Sequence, residues 1–434
     1  MELLLLALML VVVMFALLGS GMWVAVSLLG VGMLGMEFFT SAPTGLVMVT
    51  TIWDSSTGWA LTALPLFIWM AEILFRTRLA EDMFSGLAPW LTWLPGRLMH
   101  VNILGSGIFA AVSGSSAATA ATIGKISVPE LRRRGYDERM SICTLAGSGT
   151  LGIMIPPSIM LIVYGFTAEV SIARLFIAGF LPGIMLVLMF MGYTIIWALL
   201  NPKKTPPSDI RMGLGQRLWA SRALIPVFGL ILTVLGSIYA GLATPTEAAT
   251  IGVLGALLLS WLFGSITWSN FVEALKGATR TSCMICFIVS AAAFLSMTMG
   301  FTGIPRALAQ WIGTMELSVY TLLSALTIFY VLLGCFLDGF SIIVLTTPII
   351  QPIIKGAGID VVWYGIFIVM LIEIAQITPP IGFNLFVLQH FTGHDILYVA
   401  RSAVPFFFVL LAAIIIIVVF PEIPLYLPNT MFAR

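Results

Sequence analysis

Residues 147–158 read Gly-Ser-Gly-Thr-Leu-Gly-Ile-Met-Ile-Pro-Pro-Ser, and 223 residues on, 370–381 read Met-Leu-Ile-Glu-Ile-Ala-Gln-Ile-Thr-Pro-Pro-Ile. Each is an apolar, helix-forming run interrupted mid-span by a proline pair. A proline donates no amide proton and pushes the residue before it out of helical geometry. The register extends upstream without a gap: Pro129 and Gly135-Tyr136-Asp137 match Pro352 and Gly358-Ile359-Asp360. Before each of those prolines lies a small-residue turn, Ser113-Gly114-Ser115-Ser116 in one copy and Leu337-Asp338-Gly339-Phe340-Ser341 in the other. Hydrophobic segments broken by Gly or Pro at corresponding places in two halves point to the binding site of a secondary transporter.

The composition agrees. With 434 residues, 60% apolar and 9% charged, the chain has far too few charges for a water-soluble globule, which carries about 25%. It reads as an all-α polytopic protein embedded in the lipid bilayer. A net charge of +1 gives no reason to expect nucleic acid as a ligand. Cys283 and Cys286 have a redox spacing but no second pair or histidine beside them, so packing explains them. Leu3–Leu18 lacks a basic leader and a cleavage motif and is read as a retained first helix.

A span requires about 20 apolar residues. The expected spans are 3–18, 22–37, 58–75, 139–165, 174–200, 222–241, 247–264, 280–300, 360–389 and 402–420. Residues 98–131 and 322–354 instead carry their small turn near the middle. Arms of about 15 residues, roughly 23 Å as helix, fall short of a core of about 30 Å, so both are expected to be re-entrant hairpins. This arrangement puts fifteen basic residues, among them Arg132, Arg133, Arg134, Lys204 and Arg211, on one side and only Arg174, Arg306, Lys355 and Arg434 on the other. The positive-inside rule then places both termini outside the cytoplasm, and the two repeats inverted. The expected organisation is a first repeat over 1–200, with scaffold helices in 1–75, and a polar linker over 201–221. A second repeat over 222–434 has scaffold helices in 222–264, an amphipathic surface helix over 265–279 and a final helix over 402–420.

The chemistry is expected at the tips and breaks. Carbonyls and hydroxyls at a tip suit a dehydrated hard cation, while the following helix N-terminus suits an anion. Packing of close helix backbones is the structural alternative for such small residues. Asp338 is a carboxylate at membrane depth, which is costly without a partner. The breaks are expected to free carbonyls over 147–154, and the second copy adds Gln376, Thr378 and Asn384. Glu72 and Glu373 lie inside spans, where they could bridge helices. Lys125 is the sole cation within the hairpin–break core, with Arg97 near its edge.

These residues resemble the large membrane subunit of the tripartite ATP-independent periplasmic (TRAP) transporters over essentially the whole chain. The resemblance is carried by Leu64-Pro-Leu-Phe67, Phe109-Ala-Ala-Val-Ser-Gly-Ser-Ser116, Pro129-Glu130, Arg134-Gly-Tyr136, Gly152-Ile-Met-Ile-Pro-Pro-Ser158, Leu175-Phe-Ile-Ala-Gly179, Thr244-Pro-Thr-Glu-Ala-Ala249 and Thr378-Pro-Pro-Ile-Gly382. It implies a sodium-driven importer of small organic acids in the bacterial inner membrane, with both termini periplasmic and an elevator motion of a transport domain against a scaffold. It also implies a small four-helix membrane subunit (Q type) and a periplasmic substrate-binding protein (P type) as partners, and two or more sodium ions. By position, sodium would engage Ser113, Gly114, Ser116, Gly149 and Gly152 at the first tip, and Asp338, Gly339, Thr378 and Pro379 at the second. Substrate would engage Ser115, Thr119, Pro157, Ser158 and Asn384. Some members carry an acidic residue where this chain has Thr119, so substrate identity does not transfer.

The expectation is thus a secondary importer with about ten spans and two hairpins. The alternative is an ion or solute channel, which would call for a ring of like residues from several subunits. An enzyme is not expected: no HExxH pair occurs, and no histidine is placed to activate the tip serines.

Overall fold

The computed structural model describes residues 2–207, 212–380 and 382–431, so Arg211 and Arg434 of the charge count lie outside the described residues. The described chain is helical throughout, without a strand. In the first half come α1 (Glu2–Gly19), α2 (Val24–Phe39), α3 (Thr44–Ser56), α4 (Ala63–Phe75), α5 (Leu79–Leu91), α6 (Met99–Ser113), α7 (Ser116–Arg133), α8 (Glu138–Met154), α9 (Ile159–Thr167) and α10 (Ile172–Leu200). The second half holds α11 (Leu214–Ser221), α12 (Ile225–Tyr239), α13 (Pro245–Leu262), α14 (Trp268–Thr302), α15 (Ile304–Thr314), α16 (Val319–Gly334), α17 (Gly339–Gly356), α18 (Val361–Gln376), α19 (Phe383–Thr392), α20 (Ile396–Val419) and α21 (Glu422–Met431).

The internal repeat recurs as backbone geometry. Gly135 and Gly358 turn the chain at φ 74° and 73°, and the Pro156–Pro157 and Pro379–Pro380 bonds are both cis. Asp137 caps α8 through the Met140 amide at 2.8 Å, and Asp360 caps α18 through the Val362 and Trp363 amides at 2.8 and 2.9 Å. The same short polar side chain satisfies the same orphan amides in both copies.

Several elements differ from the sequence expectation. Among the described residues six helices are long and apolar enough to span alone, or eight if two bent pairs count as single spans. One bent pair, α8 with α9 at 43°, is the expected first break; the other joins α3 to the α4 segment at 53°. No helix was expected over 44–56, because Thr50, Thr51, Asp54, Ser55 and Ser56 interrupt its apolar run. The surface helix expected over 265–279 is not separate from the span at 280–300. Both belong to α14, whose 35 residues extend about 52 Å. Gly277 does not break it, because its bare Cα face receives the Glu72 carboxyl of α4, 2.8 Å from where a Cβ would lie. Glu72 pairs with Arg76 of the same helix turn and so meets α14 as a paired carboxylate. The linker over 201–221 ends in helix: α11 begins at Leu214, and Ser221 accepts a hydrogen bond from the Trp90 indole at 2.6 Å. Arg97 donates to the Thr205 and Pro206 carbonyls of that linker, which ties the guanidinium to the chain's crossing between halves.

Candidate functional site

The first hairpin turns in two residues. Gly114 sits at φ 60°, a left-handed conformation that a side chain disfavours. Its Cβ position would also lie 2.7 Å from the Pro157 carbonyl, so the break itself occupies the space a side chain would need. The tip is tied down there by the Ile159 amide, which donates to the Gly114 carbonyl at 3.3 Å. Ser115 then caps α7 by accepting from the Ala118 amide at 3.5 Å. Ser113 and Thr119 share a hydroxyl contact of 2.7 Å, and Thr119 Oγ1 donates to the Ser115 carbonyl at 2.8 Å. Ser113, Ser116 and Thr119 are all buried. The result is a compact, uncharged knot of oxygens around one carbonyl.

Helix α8 receives this knot on glycines. A Cβ on Gly152 would lie 2.3 Å from the Ser115 carbonyl oxygen and 2.7 Å from Thr119 Oγ1. A Cβ on Gly149 would meet Ala120 at 2.9 Å and Asn384 Nδ2 at 3.3 Å. Asn384 belongs to α19, so this point joins the first hairpin to the second broken helix. Its side chain is fully buried, and neither amide atom finds a hydrogen-bond partner. Buried polar groups nearly always have partners, so an open donor–acceptor pair is the feature of this junction that points to a ligand.

The break supplies fewer carbonyls than expected. The Ile155 amide still reaches the Leu151 carbonyl at 2.9 Å, so α8 remains hydrogen-bonded through residue 151. Only from Gly152 onward do the prolines withhold their donors, and the Ile153 carbonyl is recovered by the Ser158 hydroxyl at 2.5 Å. The carbonyls left free are therefore those of Gly152 and Met154, fewer than the expected 147–154. Ser158, fully buried, also caps α9 through the Leu161 amide at 3.3 Å, and Pro157 is buried beside it.

The second tip is built differently. Asp338 is only half-buried and caps α17, accepting from the Phe340 and Ser341 amides at 3.0 and 3.3 Å and from the Ser341 hydroxyl. The cost expected for a carboxylate at depth is thus offset by three donors. Gly334 and Gly339 sit against Ala375 and Ile372 of α18, their Cβ positions 2.3 and 2.6 Å from those side chains. These contacts lie ahead of Thr378, whose hydroxyl donates to the Ile374 carbonyl at 2.7 Å, while Pro379 is exposed. A Cβ on Gly339 would also lie 2.7 Å from the Met160 methyl. The two tips therefore flank consecutive residues, Ile159 and Met160, at the start of α9. Within each copy the tip lies on its own broken helix; at α9 the copies meet.

Two further features have no counterpart in the sequence reading. Asn102 and Ser106 of α6 pair with Thr144 and Ser148 of α8, both at 3.0 Å, with Ser127 of α7 donating to Asn102. The i, i+4 spacing of polar residues on two apolar helices is the signal that could have shown this ladder. In the second copy Tyr330 joins Tyr364 at 2.7 Å and Thr346 at 2.9 Å. Glu373, one turn before the second break, is fully buried with both oxygens unpartnered, and so does not bridge helices among the described residues.

Comparison with known proteins places this geometry. The chain matches the family described as the tripartite ATP-independent periplasmic transporter, DctM component, over residues 11–423. It is 33% identical over 381 residues to the C4-dicarboxylate TRAP transporter large permease protein DctM of Pseudomonas aeruginosa, covering 87% of this chain and 88% of that one. It is 30% identical to the ectoine TRAP transporter large permease protein TeaC of Halomonas elongata, covering 86% and 87%. Among solved structures, the YdaH transporter of Alcanivorax borkumensis superposes with a TM-score of 0.57 over 89% of each chain at 14% identity, a likeness of fold alone.

Proposed function

This chain belongs to the DctM component family of the tripartite ATP-independent periplasmic transporters, and on that premise we propose that it is a sodium-coupled importer of a small organic acid anion. The observation that carries this reading is the fully buried, unpartnered Asn384 amide beside the oxygen knot of Ser113, Ser115 and Thr119. An amide donor suits a carboxylate or sulfonate oxygen, and the knot's hydroxyls and carbonyls suit a hard monovalent cation. Positive charge is scarce here: Arg97 is engaged by the linker and Lys125 is exposed. The anion would then be held by amide donors, by hydroxyls such as Ser115 and Ser158, and by the cations bound with it. The relative named for C4-dicarboxylates supports an organic acid as cargo, and the one named for ectoine shows how far cargo varies in the family.

In this reading sodium occupies the first tip (Ser113, Gly114, Ser116, Gly149, Gly152) and the second (Asp338, Gly339, Thr378, Pro379). The two hairpins and two broken helices form a transport domain. It moves as an elevator against a scaffold that includes helices in 1–75 and 222–264. A P-type periplasmic binding protein delivers the substrate and a Q-type four-helix subunit completes the permease in the inner membrane. The direct test is uptake into proteoliposomes containing the permease complex, with loaded binding protein outside. Uptake should saturate and require an inward sodium gradient. Equal uptake with potassium replacing sodium would overturn the coupling, and non-saturating flux would favour a channel.

Asp338 gives a sharper readout. Asparagine ranks with aspartate as a helix cap but removes the charge. Asp338→Asn should therefore keep its thermal stability while its apparent sodium affinity falls by about ten-fold, the loss of one charge-assisted contact. Unchanged sodium affinity would leave Asp338 as a helix cap alone.

Orientation is tested by accessibility. Cysteines introduced as Arg133→Cys and Lys204→Cys should label only from the cytoplasmic side, and Asn429→Cys only from outside. Labelling of position 133 from outside in intact cells would reverse the topology.

A further inference from the structure

We propose that the seam between α1, α2 and α14 on one side and the second hairpin on the other is a phospholipid site, taking one acyl chain in an apolar slot and an anionic headgroup phosphate on Arg306. The slot is a cavity of about 230 Å³ lined by Leu10, Met14, Leu295, Phe329, Leu333 and Val344 among others. Apart from the Ser296 and Thr346 hydroxyls the wall is apolar, too few polar partners to hold water well, so the slot favours an apolar guest. In a bilayer the apolar guest at hand is an acyl chain.

The slot does not end in more apolar wall. Ser296 and Pro348 line it and also line a second cavity of about 640 Å³, to which Arg306 and Gln310 bring polar side chains. Arg306 is exposed, and no carboxylate pairs with it among the described residues. It stands in the first turn of α15, whose Trp311 is 58% exposed, and exposed indoles settle at headgroup level. An apolar slot that opens onto an unpaired guanidinium and a side-chain amide fits one kind of molecule, an amphiphile with a negative head. Basic pockets between membrane helices bind lipid headgroups by the same logic. A free organic anion would use Arg306 but not the slot, and a partner helix would be too wide for it.

The position has a consequence that rests on the elevator reading: the lipid would fill the seam along which scaffold and transport domain slide. The test reads binding alone and so is independent of that reading. The full-length permease complex is stripped of lipid in detergent, offered dioleoylphosphatidylglycerol, and the lipid retained is counted by native mass spectrometry. The wild type should retain one equivalent, and dioleoylglycerol, which lacks the phosphate, should be retained about ten-fold less, as loss of a charge-assisted contact requires. Arg306→Ala should lower retention of the phospholipid to a similar extent. Leu333→Trp, which fills the slot, should abolish it, and Arg174→Ala should leave it unchanged. No retention by the wild type, or retention indifferent to Arg306→Ala, would overturn the proposal. So would displacement of the lipid by an equal concentration of soluble glycerol phosphate, which would assign the arginine to a free anion.

Discussion

Replacing Gly152 by alanine, a gain of one methyl group, is expected to cut uptake by a factor of about 5–150, from an overpacking cost of about 1–3 kcal/mol. The added Cβ would lie 2.3 Å from the Ser115 carbonyl oxygen, and its two nearest neighbours are Ser115 backbone atoms rather than a flexible side-chain end. Either the tip lifts off α8 or the helix shifts, and both dissolve the knot made by Ser113, Ser115 and Thr119. Gly192→Ala is the matched control. It is the same substitution in helix α10, where nothing lies within 4 Å of the new atom. That variant should transport normally and gain about 0.5–1 kcal/mol of helix stability. Uptake by Gly152→Ala equal to that of Gly192→Ala would show that the close approach of tip and helix is not needed for transport.

Asn384→Leu should separate function from stability in the opposite direction to most core substitutions. Removing a buried amide without partners relieves a desolvation cost of about 1–3 kcal/mol, so the empty protein should melt at or above the wild-type temperature. Uptake should nevertheless fall by about 10–150-fold, the worth of a hydrogen bond of about 1.5–3 kcal/mol to a charged substrate. Asn384→Asp should fall further, since it sets a carboxylate against an anion. Paired measurements of melting temperature and substrate affinity decide the matter. Parallel loss of stability and uptake, or normal uptake by the leucine variant, would make Asn384 a packing residue.

The two positions differ in how they could be found. Gly152 stands in a register visible along the chain, four residues before a Pro-Pro pair repeated 223 residues later. Asn384 also lies near a break, but its meeting with Gly149 joins residues more than 200 apart, and no local pattern encodes that. The ladder of Asn102, Ser106, Thr144 and Ser148 carries a local i, i+4 signal on each helix, but which helix faces which is again a pairing of residues 42 apart. Helix α3 escaped because its hydroxyls and Asp54 lower its apolarity, although Thr50 and Ser56 return their hydroxyls to carbonyls of the same helix, Leu46 and Ile52.

What the sequence alone determined is whatever is local in physical cause. Apolar runs make helices, prolines stop them by withholding amides, and glycine with a short polar cap turns the chain, so the two copies and their breaks could be placed without coordinates. Tertiary structure alone decided that Asn384 meets Gly149 and that both tips converge on Ile159 and Met160. Those outcomes depend on which helix faces meet, and in a chain that is apolar on nearly every face hydrophobicity cannot choose among them. The choice falls to close packing at glycines and to a few buried hydrogen bonds, which form only once distant segments are already in contact.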